Sequence, residues 1–525
     1  MRSWAGCVAC TRSLAVAGTV ALAFTSVLAT VPGSQHRTMV NDPMLLSGET
    51  PVGAEPAPGQ GVAELMGGSG VPIPPDNLVQ TAFDNYAVPN GYGDYAPERL
   101  FTPEGLQYIE GSLHGLLFDK SVAEGATIVE STITQEIDEG HPVLVGGVSQ
   151  SATINATVLQ AIADGSYQLP STDQLPPGST PLAFISLGDP SAPDGGVLER
   201  FNFAQDPHAS IPSLGITFSG GDPTNTGIPD IIYNLEYDGL GDFPQYPINF
   251  VSDLNAVFGI DLVHNLYIRG LIGPDVGLTP AQIAQAVQLP VTPGYDGGTT
   301  FYEIPFTGQL PFAQVIQDFA GKPLADLLAP DLTVLANLGY GPDPDIGWST
   351  TPANLQTPAE LFYHLDGAQV HDILQALEVG TAQGIHNFMA DLANPSAADI
   401  PAIFAGFADP AASATAGVAT SLDGVADDLS NAVSTLSAMG TGIGDVINAL
   451  VTVLPANLAT LFFGYLQEGN VLDAFGMPVA ANTGLDALGF GVIAAILLSN
   501  LPTVESDLGA VFDPSTFVDL LGTLF

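Results

Sequence analysis

Position 149 holds a serine between an apolar segment and a segment of helical character, in the sequence Gly147-Val148-Ser149-Gln150-Ser151. The preceding run PVLVGG predicts a buried strand, and the following run SATINATVLQAIADG predicts a helix. This is the setting of a nucleophile elbow, a sharp turn that presents a serine hydroxyl for attack on a carbonyl carbon, with small residues on either side so that the backbones can approach. A serine that caps a helix after a buried strand gives the same pattern, so the pentapeptide leaves both interpretations open.

A serine nucleophile of this kind needs an acid and a base that follow it in the order Ser, Asp, His. Asp238 ends the apolar segment PDIIYNLEYD and is our candidate acid, with Asp242 as a rival one turn further on. Asp189 also follows an apolar segment, but it comes one strand too early. The order excludes the earlier histidines and favours His264, whose imidazole is neutral at neutral pH and can accept the proton of Ser149.

The negative charge that develops on a substrate oxygen needs peptide N–H groups aimed at it. The backbone N–H of Gln150, directly after the serine, is one candidate. The glycine-rich GGSG at 67–70 is the other, because glycine permits close backbone approach and Ser69 adds a hydroxyl. A glycine-rich stretch is a weak signal by itself, and this one lacks the lysine of a phosphate-binding loop.

The elements that must position these residues follow from the apolar pattern. The strand candidates PVLVGG, PLAFISL and PDIIYNLEY alternate with helical segments such as 121–138, for which Ser121 is a plausible cap. Apolar strands that alternate with helices predict a parallel sheet flanked by helices, so the predicted fold class is α/β.

The two ends of the chain have a different composition. Basic residues, an apolar run and small residues at 1–29 predict a secretory signal peptide, with an uncleaved anchor as the alternative, and residues 30–60 predict a flexible lead-in. No Lys or Arg occurs from Pro323 to Phe525, and residues 346–525 predict a mostly α-helical C-terminal region. Within that region, Val446–Leu466 and Ala487–Leu501 are predicted to be buried core helices rather than membrane spans.

The charge balance limits the partners. Eight basic residues against 55 acidic ones give a net charge of −47, which argues against nucleic acid or an anionic membrane surface. Both cysteines, Cys7 and Cys10, lie in the predicted signal, so the mature chain would have no thiol or disulfide. The residues imply no metal and no organic cofactor.

Several motifs in order resemble the PE-PPE domain of mycobacteria and their relatives, a cutinase-like α/β serine hydrolase. They are MGGSGVPIP (66–74), LFDKSVAEGATIV, VLVGGVSQSATINA, LAFISLGDPSAPDGGVLERF, YDGLGDFPQYPIN and DLVHNLYI (261–268). The resemblance covers residues 61–345 and implies an α/β-hydrolase sheet. It also implies Ser149 as nucleophile, Asp238 as orienting acid and His264 as base, with Ser69 and Gln150 as oxyanion donors. Two departures from the family are expected: a predicted signal sequence stands where a helical PE or PPE leader often precedes this domain, and the disulfides of fungal cutinases are absent.

The resemblance leads to three functional hypotheses. The first is an exported esterase or lipase that hydrolyses short- to medium-chain acyl esters, secreted or peripherally associated with the cell envelope. The second is an acyltransferase that moves acyl chains onto trehalose-type envelope glycolipids, since the acyl-enzyme half of the reaction is common to both. The third is a non-catalytic envelope protein that retains the fold. The sequence leaves the oligomeric state open.

Overall fold

A seven-stranded sheet forms the centre of the protein, of which the computed structural model describes residues 52–106, 116–393 and 422–512. The strand order is β2-β1-β3-β4-β7-β9-β8, and every described pair in this sheet is parallel except β8 with β9. The strands are β1 (Val62–Leu65), β2 (Ala96–Arg99), β3 (Val143–Val148), β4 (Leu182–Leu187), β7 (Asp230–Leu235), β8 (Val287–Gln288) and β9 (Thr299–Ile304). A separate antiparallel hairpin consists of β5 (Ser210–Ile211) and β6 (Ile216–Thr217).

The three strands predicted from continuous apolar runs are present as β3, β4 and β7. They lie side by side in the middle of the sheet, and every residue of β3 and β4 is buried. Central parallel strands are covered on both faces, which is why they read as unbroken apolar runs. The predicted α/β class is therefore confirmed.

Helices cover both faces of the sheet and make up the C-terminal region. Those on the first part of the chain are α1 (Asp76–Ala82), α2 (Phe118–Glu139), α3 (Gln150–Asp164), α4 (Val197–Arg200), α5 (Phe250–Leu262) and α6 (Pro280–Ile283). The later ones are α7 (Pro311–Ala320), α8 (Lys322–Asn337), α9 (Gly367–Ala393), α10 (Leu422–Asn448), α11 (Leu454–Gln467) and α12 (Val471–Phe512). A π-helical turn, Ala449–Val453, joins α10 to α11.

Alternate residues of the strands feed two apolar cores, one on each face of the sheet. Leu144 of β3 packs in one core with Phe83 and Tyr86, while its neighbour Val145 packs in the other with Ile133 of α2. The period of two follows from the strand geometry.

Helix α2 begins earlier than the sequence predicted, and Ser121 does not cap it. The helix starts at Phe118 after Leu117, whereas Ser121 is fully buried inside it. Its Oγ instead accepts a hydrogen bond of 2.8 Å from the backbone N–H of Gly105. Ser121 therefore anchors the loop that precedes the helix.

The C-terminal helices lie near the edge of the sheet at which the strands end. Helix α5 packs against the chain just after β7, since an ideal Cβ on Gly259 would lie 1.8 Å from the carbonyl oxygen of Tyr237. Helix α12 runs beside α5 and the loop before it, because a Cβ on Gly491 would lie 2.7 Å from Val257 of α5 and a Cβ on Gly484 would lie 3.0 Å from Pro247. Helix α12 therefore packs on α5 and on a loop that follows the carboxyl end of β7.

The C-terminal region is α-helical as predicted, but the prediction that Val446–Leu466 is a buried core helix is wrong. Over Ser430–Gln467, only 22% of the most apolar 18-residue window is buried. Only one face of α11 packs on the rest of the protein, through residues such as Leu461, while Val451 and Phe463 are 67% and 57% exposed. Apolar composition predicts that a helix is shielded from water, but it does not predict whether protein or another apolar environment shields it.

Candidate active site

Ser149 lies in a strained turn between β3 and α3. Its backbone has φ 60° and ψ −120°, a conformation that residues with a side chain rarely adopt, and its side chain makes no capping hydrogen bond to α3. The strain and the absence of a cap favour the nucleophile elbow over the helix-capping interpretation. The side chain is partly exposed at the end of the strand.

Small neighbours make this turn sterically feasible. An ideal Cβ on Gly147 would lie 2.5 Å from the carbonyl oxygen of Ser151 and 2.8 Å from the backbone nitrogen of Ala152. Ser151 also fastens the turn, because its Oγ accepts a bond of 2.7 Å from the N–H of Val148 and donates one of 3.0 Å to the Val148 carbonyl. The serine that replaces the usual glycine therefore adds two hydrogen bonds across the elbow.

His264 and Asp238 form a buried pair. Nδ1 of His264 lies 2.8 Å from both carboxylate oxygens of Asp238, and the exposed fractions of the two residues are 7% and 0%. With Nδ1 facing a carboxylate, the proton belongs on Nδ1, and Nε2 keeps its lone pair for accepting another proton. Among the described residues, Nε2 has no hydrogen-bond partner.

Two further donors fix the Asp238 carboxylate. The hydroxyl of Tyr267 donates to Oδ2 at 2.8 Å, and the N–H of Leu240 donates to Oδ1 at 3.0 Å. Burial, followed by the charge on Asp238, raises the pKa of Tyr267 well above its usual range, so this hydroxyl stays protonated and remains a donor. The carboxylate therefore has a fixed orientation toward the imidazole.

The other two acids considered from the sequence do not contact His264. Asp242 accepts from the N–H of Tyr237 at 3.1 Å, and burial raises its pKa well above the usual range. Asp189 accepts from the N–H of Ser191 at 2.8 Å. Of the three candidate acids, the structure brings only Asp238 to the imidazole.

Ser149 and Asp238 lie at the same edge of the sheet. The N–H of Ser149 donates to the carbonyl of Leu187, the last residue of β4, at 2.9 Å. A Cβ on the next residue, Gly188, would lie 2.9 Å from Oδ2 of Asp238. The carboxylate therefore sits over the end of β4, and neighbouring strands such as β3 and β4 are about 4.8 Å apart.

The two predicted oxyanion residues are also adjacent to the elbow. Ser69 Oγ donates to Oε1 of Gln150 at 2.8 Å, and Gln150 Nε2 donates to the Gly105 carbonyl at 3.2 Å. A Cβ on Gly68 would lie 3.4 Å from that of Ser149, so the glycine-rich loop touches the serine directly. The Gln150 N–H is at the first position of α3, where no carbonyl of the helix can accept it.

Sequence reasoning missed the residues that brace this edge. Asn234 on β7 accepts from the N–H of Asp189 at 3.1 Å and donates to the carbonyl of Gly241 at 2.8 Å, which ties the loops after β4 and β7 together. The Glu104 carbonyl accepts from the N–H of Gly70 at 2.9 Å and holds the glycine-rich loop. An isolated amide in a strand and a backbone carbonyl give no sequence signal, so neither could be found by pattern.

Within the part of the chain that the structure describes, one group of side chains could hold a metal ion, and it lies away from Ser149. The ligand atoms of Glu136, Glu139 and His141 lie within 4.8 Å of one another. His141 precedes β3, whereas Ser149 follows it, and a six-residue strand separates them by roughly 20 Å. This group has no part in the chemistry at Ser149.

A parallel sheet with a strained serine between strand and helix, and an Asp–His pair after later strands, defines the α/β-hydrolase class. The PE-PPE domain pattern matches residues 93–341. An uncharacterized PPE family protein of Mycobacterium tuberculosis, PPE28, is 36% identical over 479 residues, which cover 88% of this chain and 68% of that protein. The chain therefore belongs to the PE-PPE domain family, as its motifs predicted.

Two other proteins of Mycobacterium tuberculosis are similar over shorter ranges. PE family protein PE3 is 37% identical over 328 residues, or 61% of this chain and 62% of that protein. Esterase PE16 is 37% identical over 306 residues, or 58% of this chain and 52% of that protein. Among solved structures, an acetylxylan esterase is 20% identical and covers 25% of this chain and 64% of its own, with a TM-score of 0.19. The fold assignment rests instead on the strand order and the elbow.

Proposed function

We propose that this protein is a serine esterase that forms an acyl-enzyme on Ser149. The observation that carries the proposal is the strained serine at the end of β3 beside a buried Asp238–His264 pair at the same edge of the sheet. A helix cap or a structural histidine would need neither the strain nor the pair. The similarity to Esterase PE16 supports the same reaction class, although the chain spans only about half of that protein.

In the proposed mechanism, Oγ of Ser149 attacks the ester carbonyl carbon while Nε2 of His264 accepts the hydroxyl proton. The carbonyl electrons move onto oxygen, where the N–H groups of Ser69 and Gln150 stabilise the negative charge. The tetrahedral intermediate expels the alcohol, which takes the proton from Nε2. Water then repeats the sequence on the acyl-enzyme and releases the acid. Asp238 holds the imidazole and stabilises its charged form.

Burial of the imidazole suits this role. A largely enclosed His264 is shielded from bulk water, and interactions between its charged form and Asp238 are stronger in a low dielectric. The proposal extends to short- and medium-chain acyl esters as substrates and to export through residues 1–29, which lie outside the described residues.

Labelling with a fluorophosphonate probe tests the nucleophile. We expect the full chain and the control variant Ser131→Ala, whose hydroxyl lies on the exposed side of α2, to label equally. Ser149→Ala should not label, and its kcat for p-nitrophenyl butyrate should fall by about 10⁴- to 10⁶-fold. Equal labelling of wild type and Ser149→Ala would falsify the proposal.

The same assay separates hydrolysis from transfer. A chain-length series of p-nitrophenyl esters is run with and without trehalose as acceptor, and the products are identified by mass spectrometry. If the yield of free acid does not change when trehalose is added, the protein is a hydrolase. If acyl-trehalose forms in place of the free acid, the protein is an acyltransferase.

A further inference from the structure

The turn between α11 and α12 carries a contiguous apolar surface, which we call the hairpin tip. Its members are large apolar side chains between 41% and 65% exposed: Phe463, Leu466, Val471, Leu472, Phe475 and Val479. Phe462 links the two helices, since its ring lies 5.1 Å from that of Phe463 and 5.2 Å from that of Phe475. Single exposed apolar residues are ordinary, but a contiguous patch of this kind marks a binding surface.

The opposite side of the hairpin is fixed to the sheet domain. Leu461 and Met477 pack in one core with Phe201 and Phe243, and Gln205 Nε2 donates to the carboxylate of Glu468 at 3.2 Å. The inner face of this hairpin is therefore buried against the sheet domain, and its outer face is left exposed. A helix that is buried on one side against a globular domain can lie on a lipid layer but cannot cross it.

The charge of the hairpin selects the partner. Residues 449–467 contain no charged side chain, and 468–485 contain only Glu468 and Asp473. The hairpin has no basic residue to attract anionic headgroups, and the net charge of −47 repels them. Interfaces between proteins are normally enriched in arginine and have a polar rim of hydrogen-bonding groups. Hydrocarbon requires no hydrogen bonds, and the most apolar 18-residue windows of Ser430–Gln467 and Val471–Ala494 have mean hydropathies of 1.8 and 1.2, which suit it.

We propose that the hairpin tip docks onto an uncharged lipid surface. Since α12 runs beside α5, and α5 connects Asp238 to His264, docking at the tip holds the ester-cleaving edge of the sheet close to that surface. The lipid surface is then the source of the acyl ester. This last step rests on the proposed esterase function, whereas the docking itself does not.

Vesicle flotation of the full chain tests the docking. We expect the protein to float with vesicles of phosphatidylcholine alone. The variant Phe463→Ser/Phe475→Ser should lower the partition coefficient by at least about tenfold, because it removes two large exposed aromatic rings that would be buried in the lipid. The control Val287→Ser/Val291→Ser removes two exposed valines at the β8 edge and should float like wild type. Hydrolysis of water-soluble p-nitrophenyl acetate should be the same in all three proteins.

Circular dichroism verifies that the variants are folded, and Leu472→Ser, at a position 61% exposed, repeats the test with a single change. Unchanged flotation of the tip variants overturns the docking proposal. So does a preference for vesicles that contain phosphatidylglycerol, or a dimer that dissociates when the tip is altered, because the surface would then serve a different partner. If wild type floats but hydrolyses no ester, the docking stands and the proposed function fails.

Discussion

Asp238 and Asp242 are separated by a single turn of chain and both are buried, yet only Asp238 contacts the imidazole of His264. Asp238 receives donors from an imidazole, a phenol and a peptide, which orient its carboxyl group toward the imidazole. Asp242 receives the Tyr237 N–H, and burial raises its pKa well above the usual range, but it does not contact the imidazole. A carboxyl group held against Nδ1 can orient the imidazole and stabilise its charged form, whereas one that does not contact the imidazole contributes little.

Exchange of each acid for its amide separates these roles. Asp238→Asn should lower kcat by about 10⁴-fold, because an amide nitrogen facing Nδ1 forces the wrong tautomer of His264. Asp242→Asn keeps the size of the side chain and an oxygen for the Tyr237 N–H, and this residue does not contact His264, so kcat should stay within about tenfold of wild type. The measurement is kcat for p-nitrophenyl butyrate at neutral pH. A larger loss in Asp242→Asn would assign the catalytic carboxylate to that residue.

At this scale the sequence identified Ser149, His264 and the pair of candidate acids, because chain order and residue type restrict the choice. It favoured Asp238 but kept Asp242 as a rival, because both follow the same strand. The decision depends on the backbone after β7, where Tyr237 adopts φ 69° and turns Asp238 toward the imidazole. A positive φ at a tyrosine is uncommon and leaves no mark in the sequence.

The junction of β3 with α3 is the element on which the chemistry depends. Its serine is held by the hydrogen bonds of Ser151 and by the close approach of Gly147 to the first turn of α3. The strained backbone conformation of Ser149 persists because these contacts fix the backbone on both sides of it. The local pattern predicted the element, since small residues at these positions are a steric requirement of the turn.

The variant Gly147→Ala tests how tightly the elbow is packed. Its Cβ would lie within 2.8 Å of backbone atoms of Ser151 and Ala152, which cannot move without displacing Ser149. We expect the free energy of unfolding to fall by about 1–3 kcal/mol and kcat to fall with it. Urea unfolding and ester hydrolysis measure the two effects.

Gly444→Ala is the matched control, because it lies in α10 and a Cβ there would meet nothing within 4 Å. An alanine in open space inside a helix should stabilise the protein by about 0.5–1 kcal/mol without changing kcat. If Gly147→Ala behaves like this control, the turn is looser than the contacts imply.

The elements differ in how well their surroundings follow from sequence. The strands β3, β4 and β7 were predicted together with their burial, because a short, continuous apolar run in an α/β protein indicates a central strand that is covered on both faces. The helices α11 and α12 were predicted as helices, but the burial predicted for Val446–Leu466 was wrong. Apolar residues all round a helix do not indicate whether protein or another apolar phase covers the outer face.

At the scale of the whole molecule, the excess of acidic residues extends into the interior. Burial raises the pKa of Glu64, Glu104 and Asp230 to about 8 in each case, with neighbouring acidic groups adding to the shift at Glu64 and Asp230. With few basic residues in the chain, these carboxyls are kept neutral by proton uptake rather than by ion pairs. The composition predicted a repelling surface, but it could not show which carboxylates lie inside.

These buried acids predict a protein that is more stable at pH 5 than at pH 8. A carboxyl whose pKa is higher in the folded chain binds more protons when folded, so its stabilising contribution is complete below the unfolded pKa near 4 and is lost as the pH rises to the folded pKa. Each such group should lower the free energy of unfolding by up to about 1.4 kcal/mol per pH unit over this range. Urea unfolding at pH 5, 6, 7 and 8 measures the slope.

Repulsion among the surface carboxylates changes stability with pH in the same direction, so a variant must separate the two causes. Glu104→Gln removes one buried carboxyl of high pKa, whose Oε2 has no hydrogen-bond partner among the described residues. We expect this variant to flatten the slope and to gain stability at pH 8. Glu124→Gln removes a half-exposed carboxyl on α2 and should leave the slope nearly unchanged. Equal slopes for Glu104→Gln and Glu124→Gln would show that general repulsion, rather than burial of individual acids, governs the response to pH.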